Sequence, residues 1–287
     1  MKYAFMREHE GRFELKQMCT ALEVSRSGYY EWAGRSSSAR KAADEVLLAH
    51  IRRVHEHSRE AYGAKKTWLE LKAQGVACGK HRVARLRKSA GIEARRKRRF
   101  RVTVEHRHVA PAAPNLVQKR FQVALPDRIW VGDTTIIRTR AGLLHLAVLL
   151  DLYARRVVGW SMRERPDLHL VLSALRMAVE QRRPSPGLIH HTDQGSLYRA
   201  TVYREVVKGY GLRFSMSAKG APRDNAVVES FFSNLKNELV HHCDFATREA
   251  ARSALFDYIE LFYNRKRLHQ TLGYLSPMQF EAQNRAS

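Results

Sequence analysis

Between residues 128 and 163 three strand-like segments succeed one another almost without pause: "RIWVGDTTIIRT", "GLLHLAVLLDLY" and "RRVVGWSM". Runs this rich in Val, Ile, Thr and aromatic residues mark strands. The breaks between them, near 139–142 and 153–155, are too short to hold a crossover helix, so the three strands form an antiparallel meander. Beyond residue 163, helices and strands alternate. "RPDLHLVLSALRMAVEQRR" is an amphipathic helix opened by Pro166-Asp167, with Leu170, Leu172, Leu175, Met177 and Val179 apolar. "PGLIHHTD" is a short strand ending in an aspartate, and a helix around 198–209 leads to the strand "LRFSMS". Two more helices come after, one in "APRDNAVVESFFSNLKNELV" and one from about 247 to 264. The order βββαβαβα predicts an α/β fold, a mixed sheet flanked by helices.

The first third is helical instead. "FELKQMCTALEVSRSGYYEW" reads as two helices with a break near Glu23-Val24 and a cap at Ser25, the outline of a helix-turn-helix. Residues 62–91 give a second helix pair. Trp68 and Leu71 line one helix, which Gly75 stops; Val83 and Leu86 line the next, which Gly91 closes. The outward side of that helix carries Lys80, Arg82, Arg85, Arg87 and Lys88, a face suited to a DNA major groove or simply to water. The run "RRKRRFR" at 95–101, which includes Arg96 and Arg98, stays extended unless a polyanion neutralises it. The expected domains are therefore 1–60 and 61–99, both helix-turn-helix-like, a basic, proline-containing linker at 100–120, and an α/β domain at 121–285.

Composition narrows the partner. The chain of 287 residues has a formal charge of +23, and residues 1–110 hold 26 basic against 12 acidic side chains. Such an excess favours nucleic acid; a merely adhesive basic protein is the bland alternative. Three dispersed cysteines imply no disulfide framework, and no C-x-x-C marks a zinc site. His241-His242-Cys243 points three ways on a helix and reads as structural. Neither a leader sequence nor an apolar run long enough for a bilayer is evident, so a cytoplasmic protein without membrane contact is expected.

Three carboxylates carry the chemistry. Asp133 lies in the first strand and Asp193 ends the fourth, in "HHTDQGS". Glu229 sits on the later helix, off the apolar stripe of Val228, Phe231, Phe232, Leu235 and Leu239, with 35 residues between it and Asp193. In a sheet of this order the first and fourth strands can lie side by side, and a helix crossing beside them could bring Glu229 toward both aspartates. Carboxylates gathered this way repel unless a cation lies among them. Oxygen donors suit Mg2+ or Mn2+, and two such ions about 4 Å apart would clamp an in-line phosphoryl transfer. Asp151 is a rival third carboxylate, though a strand-end aspartate that orders the next turn is the simpler reading. Asp224 and Asn225 read as helix caps, His191 as a positioning donor, and Trp130 and Tyr198 as packing groups.

At these residues the chain resembles the second-frame proteins of the IS-three group of bacterial insertion-sequence transposases. The resemblance rests on "IWVGDTT", "LLDLYARRVVGW", "HHTDQGSLY", "SMSAKGAPRDNAVVESFFSNLKNE" and "YNRKRLHQTLGYLSPMQF", in order, and on the "YG…RV.RL…GI" pattern across 62–92. It departs at Ala218 and His190, neither of which touches the triad. The resemblance implies an integrase-like catalytic core with a ribonuclease H-like fold and a catalytic, metal-binding triad of Asp133, Asp193 and Glu229. It implies cleavage at transposon ends and strand transfer, with water or a DNA 3′-hydroxyl attacking a phosphodiester in line. Terminal inverted repeats and target DNA would be the partners, with the chain acting as a homo-oligomer. An upstream-frame partner with a helix-turn-helix and leucine zipper is also implied, which would make this chain the downstream half. Lys236 lies two turns beyond Glu229 and could reach a phosphate, as could Lys219 and Arg223 in the loop before the helix. Arg267, in the basic run after the last helix, is either a phosphate contact or part of a packing motif. A metal nuclease that never transfers strands, or a DNA-binding regulator, are the alternatives.

Overall fold

The computed structural model describes residues 1–34, 39–95, 112–118, 122–218 and 225–284. Two units divide them: Met1–Val54 with Thr67–Ile92, and His55–Lys66 with Glu93–Ser287. The sequence predicts a boundary between residues 60 and 61, whereas His55–Lys66 belongs with the strand-rich unit.

The helical unit runs through α1 (Lys2–Glu8), α2 (Leu15–Ala21), α3 (Arg26–Gly34), α4 (Ala39–His57), α5 (Ala64–Ala73) and α6 (Lys80–Ser89), with α4 and α5 crossing its boundary. The α2–α3 turn falls where expected. Glu23 takes a left-handed φ of 52°, and the Ser25 hydroxyl accepts from the Gly28 N–H at 3.0 Å. Met6, Met18, Cys19 and Tyr29 form the small core beneath. Gly75 and Gly91, at φ of 78° and 65°, end α5 and α6. Beyond them Val76 and Ile92 donate back to the Leu71 and Arg87 carbonyls, both at 2.9 Å. Arg87 corrects the expected outward face. It lies four residues after buried Val83, so it shares the inner side, where it is buried and donates to Thr67 Oγ1 at 3.1 Å.

The second unit holds β1 (Ile129–Thr139), β2 (Gly142–Asp151), β3 (Arg156–Arg163), α7 (Leu168–Arg182), β4 (Ile189–Thr192), α8 (Ser196–Arg199), α9 (Thr201–Gly209), β5 (Arg213–Met216), α10 (Ala226–Glu238), α11 (Arg248–Phe256) and α12 (Pro277–Asn284). The sheet order is β3-β2-β1-β4-β5. The first three strands are antiparallel, and β4 and β5 join parallel to β1. This is the ribonuclease H-like mixed sheet expected. Its two faces bury different sets, as strand alternation requires. Val131, Leu146 and Val148 pack with Phe231, Leu235 and Ile259 on one side. Trp130, Leu149 and Val158 pack with Leu170, Ala174 and Tyr203 on the other. From Leu144 to Leu150 the β2 run "LLHLAVLL" is buried from both sides, which is why it is apolar with little alternation. Gly159 lets α7 approach β3, for any side chain there would run into the Ala174 carbonyl.

Asp151 is fully buried and orders the turn after β2, accepting from the N–H groups of Tyr153 and Asp127 at 3.2 and 3.1 Å. The last long helix is α11 continued by a π-helical stretch, Asp257–Tyr263. Sequence pattern does not predict α12; its buried Glu281 pairs with Arg156 and Arg182 at 2.6 and 3.0 Å. Among the described residues no helix is long and apolar enough to cross a membrane.

Candidate active site

Parallel pairing of β1 with β4 sets Val131 opposite His191 and Gly132 opposite Thr192. Asp133 and Asp193 are the next residues along each strand. Neighbouring strands lie about 4.8 Å apart, so the two carboxylates leave the sheet side by side where β4 ends. Backbone N–H groups orient both: Thr134 donates to Asp133 Oδ1 at 2.7 Å, and Gly195 to Asp193 Oδ1 at 2.9 Å. A Cβ at residue 195 would sit 2.9 Å from Asp193 Oδ1, so any side chain there would displace that carboxylate.

The third carboxylate arrives on α10. Its apolar stripe of Val228, Phe231, Phe232, Leu235 and Leu239 is buried in the core as its spacing predicts. Asn225, expected to cap this helix, makes no side-chain cap; its amide instead donates to the Gly132 carbonyl at 3.4 Å, the residue before Asp133. Asp224 lies outside the described residues. Glu229, one turn into α10, is exposed.

One electrostatic field joins the three acids. Burial first, then the Asp193 charge, pushes the Asp133 carboxyl up to about 8, with Glu229 adding and Lys236 opposing. Glu229, though its surface is open to solvent, is raised first by partial desolvation against the protein and then by the Asp193 charge. Among the described residues, no three His, Cys, Asp or Glu side chains stand close enough to hold one ion together. The donors fit a hard divalent cation, because every group contributed is a carboxylate and two of them directly follow an in-register strand pair.

The surroundings hold groups that sequence reasoning undervalued. Tyr198 is buried as a packing residue should be, yet its hydroxyl has no hydrogen-bond partner among the described residues. Burial, Tyr203 and then both aspartates raise its pKa, so it belongs to the same field. His191, expected to be a positioning donor, is bracketed beneath Asp193 by Ser215 and Ser217 at 2.8 and 3.2 Å. The alternation in "FSMS" is the signal that could have found this bracket.

The basic candidates divide. Lys80 is exposed on α6. Arg82 and Arg85 each reach Asp44 at 2.6 Å, leaving them partly engaged. Lys236 is half-buried; burial lowers its pKa and the Asp133 carboxylate works against that. Arg267 does not face solvent. It is buried and grips Glu238 with several short hydrogen bonds, the shortest 2.7 Å, so the packing alternative replaces the phosphate contact. Arg96, Arg98, Lys219 and Arg223 lie outside the described residues.

Integrase core domain families match residues 124–222 and 229–284, and an HTH-like domain family matches residues 41–100. The 31 kDa protein of insertion element IS600 from Shigella sonnei is 44% identical over 92% of this chain and 97% of its own. The InsF transposase of insertion sequence IS3A from Escherichia coli is 41% identical over the whole of both chains. Among solved structures, a chain of the simian T-cell lymphotropic virus intasome is 17% identical at a TM-score of 0.47, over 80% of this chain and 73% of that one. A match to InsF at this identity along its full length establishes that the chain belongs to the IS3 family of insertion-sequence transposases.

Proposed function

We propose that the chain cuts DNA at the ends of its insertion sequence and joins the freed ends to target DNA, using Asp133, Asp193 and Glu229 as a catalytic triad. The observation that carries this reading is the placement of Asp133 and Asp193 as in-register successors on adjacent parallel strands, within the field of Glu229. The three carboxylates would hold Mg2+ or Mn2+, two ions in the full complement. When bound, these cations would neutralise charge gathering on the reacting phosphate. This chain's residues do the rest. The Gly195 and Thr134 N–H groups hold the aspartates in one rotamer, and α10 carries Glu229 toward them. Lys236 offers a cation beside Asp133 for a terminal phosphate.

The two helix-turn-helix-like segments would find the terminal inverted repeats, with Lys80, Arg82 and Arg85 on backbone phosphates. The charged runs outside the described residues, including Arg96, Arg98, Lys219 and Arg223, would add to that hold. Joining two ends calls for a homo-oligomer, and an upstream-frame protein with a helix-turn-helix and leucine zipper is a further expected partner. A duplex carrying the terminal repeat, labelled at its 3′ end, tests the proposal in the presence of Mg2+. Products covalently joined to target DNA are expected. Hydrolysis without joining would leave only a nuclease, and metal-independent binding alone would leave a regulator.

A further inference from the structure

Two motifs far apart in sequence meet at one place. "YGAKK", residues 62–66, opens α5, and "NRKRLH", residues 264–269, comes directly after the last long helix. Both belong to the strand-rich unit. The Tyr62 hydroxyl donates to the Lys266 carbonyl at 3.1 Å and accepts from the Leu268 N–H at 2.8 Å. Lys66 Nζ donates to the Leu268 carbonyl at 2.7 Å. The backbone on both sides of Arg267 is therefore clamped by side chains some 200 residues earlier. Arg267 points from this clamp into Glu238, the last residue of α10, and Tyr258 donates to the same carboxylate at 2.8 Å. Arg95, itself held by Glu60, donates to the Glu238 carbonyl at 3.1 Å.

We infer that Tyr62 and Lys66 are positioning residues of the catalytic unit, clamping residues 266–268 so that Arg267 fixes the C-terminal end of the helix that carries Glu229. The physical need is clear. An apolar stripe lets a helix slide or roll against its sheet at little cost, whereas a buried, directional ion pair sets register. With Asn225 tied to the Gly132 carbonyl at its start and Glu238 tied to Arg267 at its end, α10 is fixed at both ends. Glu229 rides between, roughly 14 Å from Glu238 at 1.5 Å per residue. The clamp is bought with backbone strain. Arg59 and Glu60, neither of them glycine, both adopt left-handed φ values, 54° and 59°. That conformation sets Glu60 on Arg95 and stacks the Arg59 guanidinium over Phe262 at 5.5 Å.

This role rests on Glu229 being catalytic, so the test reads structure and rate separately. Full-length Tyr62→Phe and Lys66→Met are compared with the unaltered protein by amide hydrogen exchange and by end cleavage at saturating DNA with Mg2+. Lys66→Met keeps the buried stem and guards against loss of fold in Tyr62→Phe. Expected is faster exchange across residues 235–239, unchanged affinity for the terminal duplex, and a maximal rate lower by about ten- to a hundredfold, the scale of a small misplacement. Unchanged exchange in α10 overturns the clamp. Faster exchange with an unchanged rate overturns its positioning role. Should the unaltered protein and Glu229→Gln cleave equally, the triad fails, and exchange alone then decides whether the clamp exists.

Discussion

Asp133 and Asp193 are each the first residue after a paired position on adjacent parallel strands, Gly132 opposite Thr192. Backbone pairing thus brings the two residues to one edge of the sheet, and the Gly195 N–H of the following loop orients the Asp193 carboxylate. Asp193→Asn keeps the shape and the Gly195 N–H contact but removes the charge. Metal-dependent end cleavage should fall by about 10³-fold or more, the scale of losing a charge-stabilising group. Circular dichroism and the unfolding midpoint should stay close to those of the unaltered chain. Retained cleavage would remove Asp193 from the chemistry.

The same placement is costly to stability without a cation. The Asp133 carboxyl rises from 3.8 to about 8, so the folded chain keeps a proton that the unfolded chain loses above about pH 4. Stability should therefore drop as pH climbs from about 4 to about 8, and level off beyond. Asp133→Asn should flatten that slope and raise the unfolding midpoint at pH 8 in EDTA while abolishing activity. Adding Mg2+ to the unaltered protein should raise its midpoint and release protons. A pH profile identical in the variant would contradict the assignment.

Gly195 leaves space that Asp193 needs. In Gly195→Val the new Cβ would lie 2.9 Å from Asp193 Oδ1, so the carboxylate must turn away. The loss of cleavage should be about a hundredfold, with little change in the affinity for terminal DNA. Steady-state kinetics across DNA concentrations would separate the two.

Asp44 of α4 holds both Arg82 and Arg85 of α6 at 2.6 Å. Asp44→Asn should free two guanidinium groups and tighten DNA binding. Lys80→Ala should weaken it uniformly and lower the log–log salt slope by about 0.9, one phosphate's worth. Fluorescence anisotropy from 50 to 300 mM salt, a range chosen to span roughly the window in which counterion release dominates, would measure both. An unchanged slope in Lys80→Ala would remove this residue from the DNA face.

Arg267→Ala strands the Glu238 carboxylate in a buried site. The expected cost is about 3–5 kcal/mol, the range for breaking one side of such a pair. Arg267→Met combined with Glu238→Gln should recover much of that loss. Affinity for DNA of whatever remains folded should be unaltered, which distinguishes a buried pair from a phosphate contact.

The strand meander, the α10 stripe and the three acids were legible because each is a local pattern. A run of Val and Ile, or an apolar residue every third or fourth place, carries its structure within a dozen residues. Arg267 shows where that reach ends. In sequence it stands between Lys266 and Leu268 as one of a basic run, like the exposed Lys80. Only packing decides that one cation meets solvent and the other meets Glu238. Arg87 differs, since its four-residue interval from Val83 already placed it on the inner face.

By itself, then, the sequence determined the order of the main strands and helices and the excess of positive charge, and it named the candidate acids. Tertiary structure alone decided that Asp133 and Asp193 follow an in-register strand pair, that Arg267 is buried against Glu238, and that residues 62–66 serve the same unit as residues 264–269. The physical reason is that periodicity and propensity act over one or two turns of chain, whereas burial, strand pairing and the partner of a buried charge depend on residues that meet only after the chain has folded.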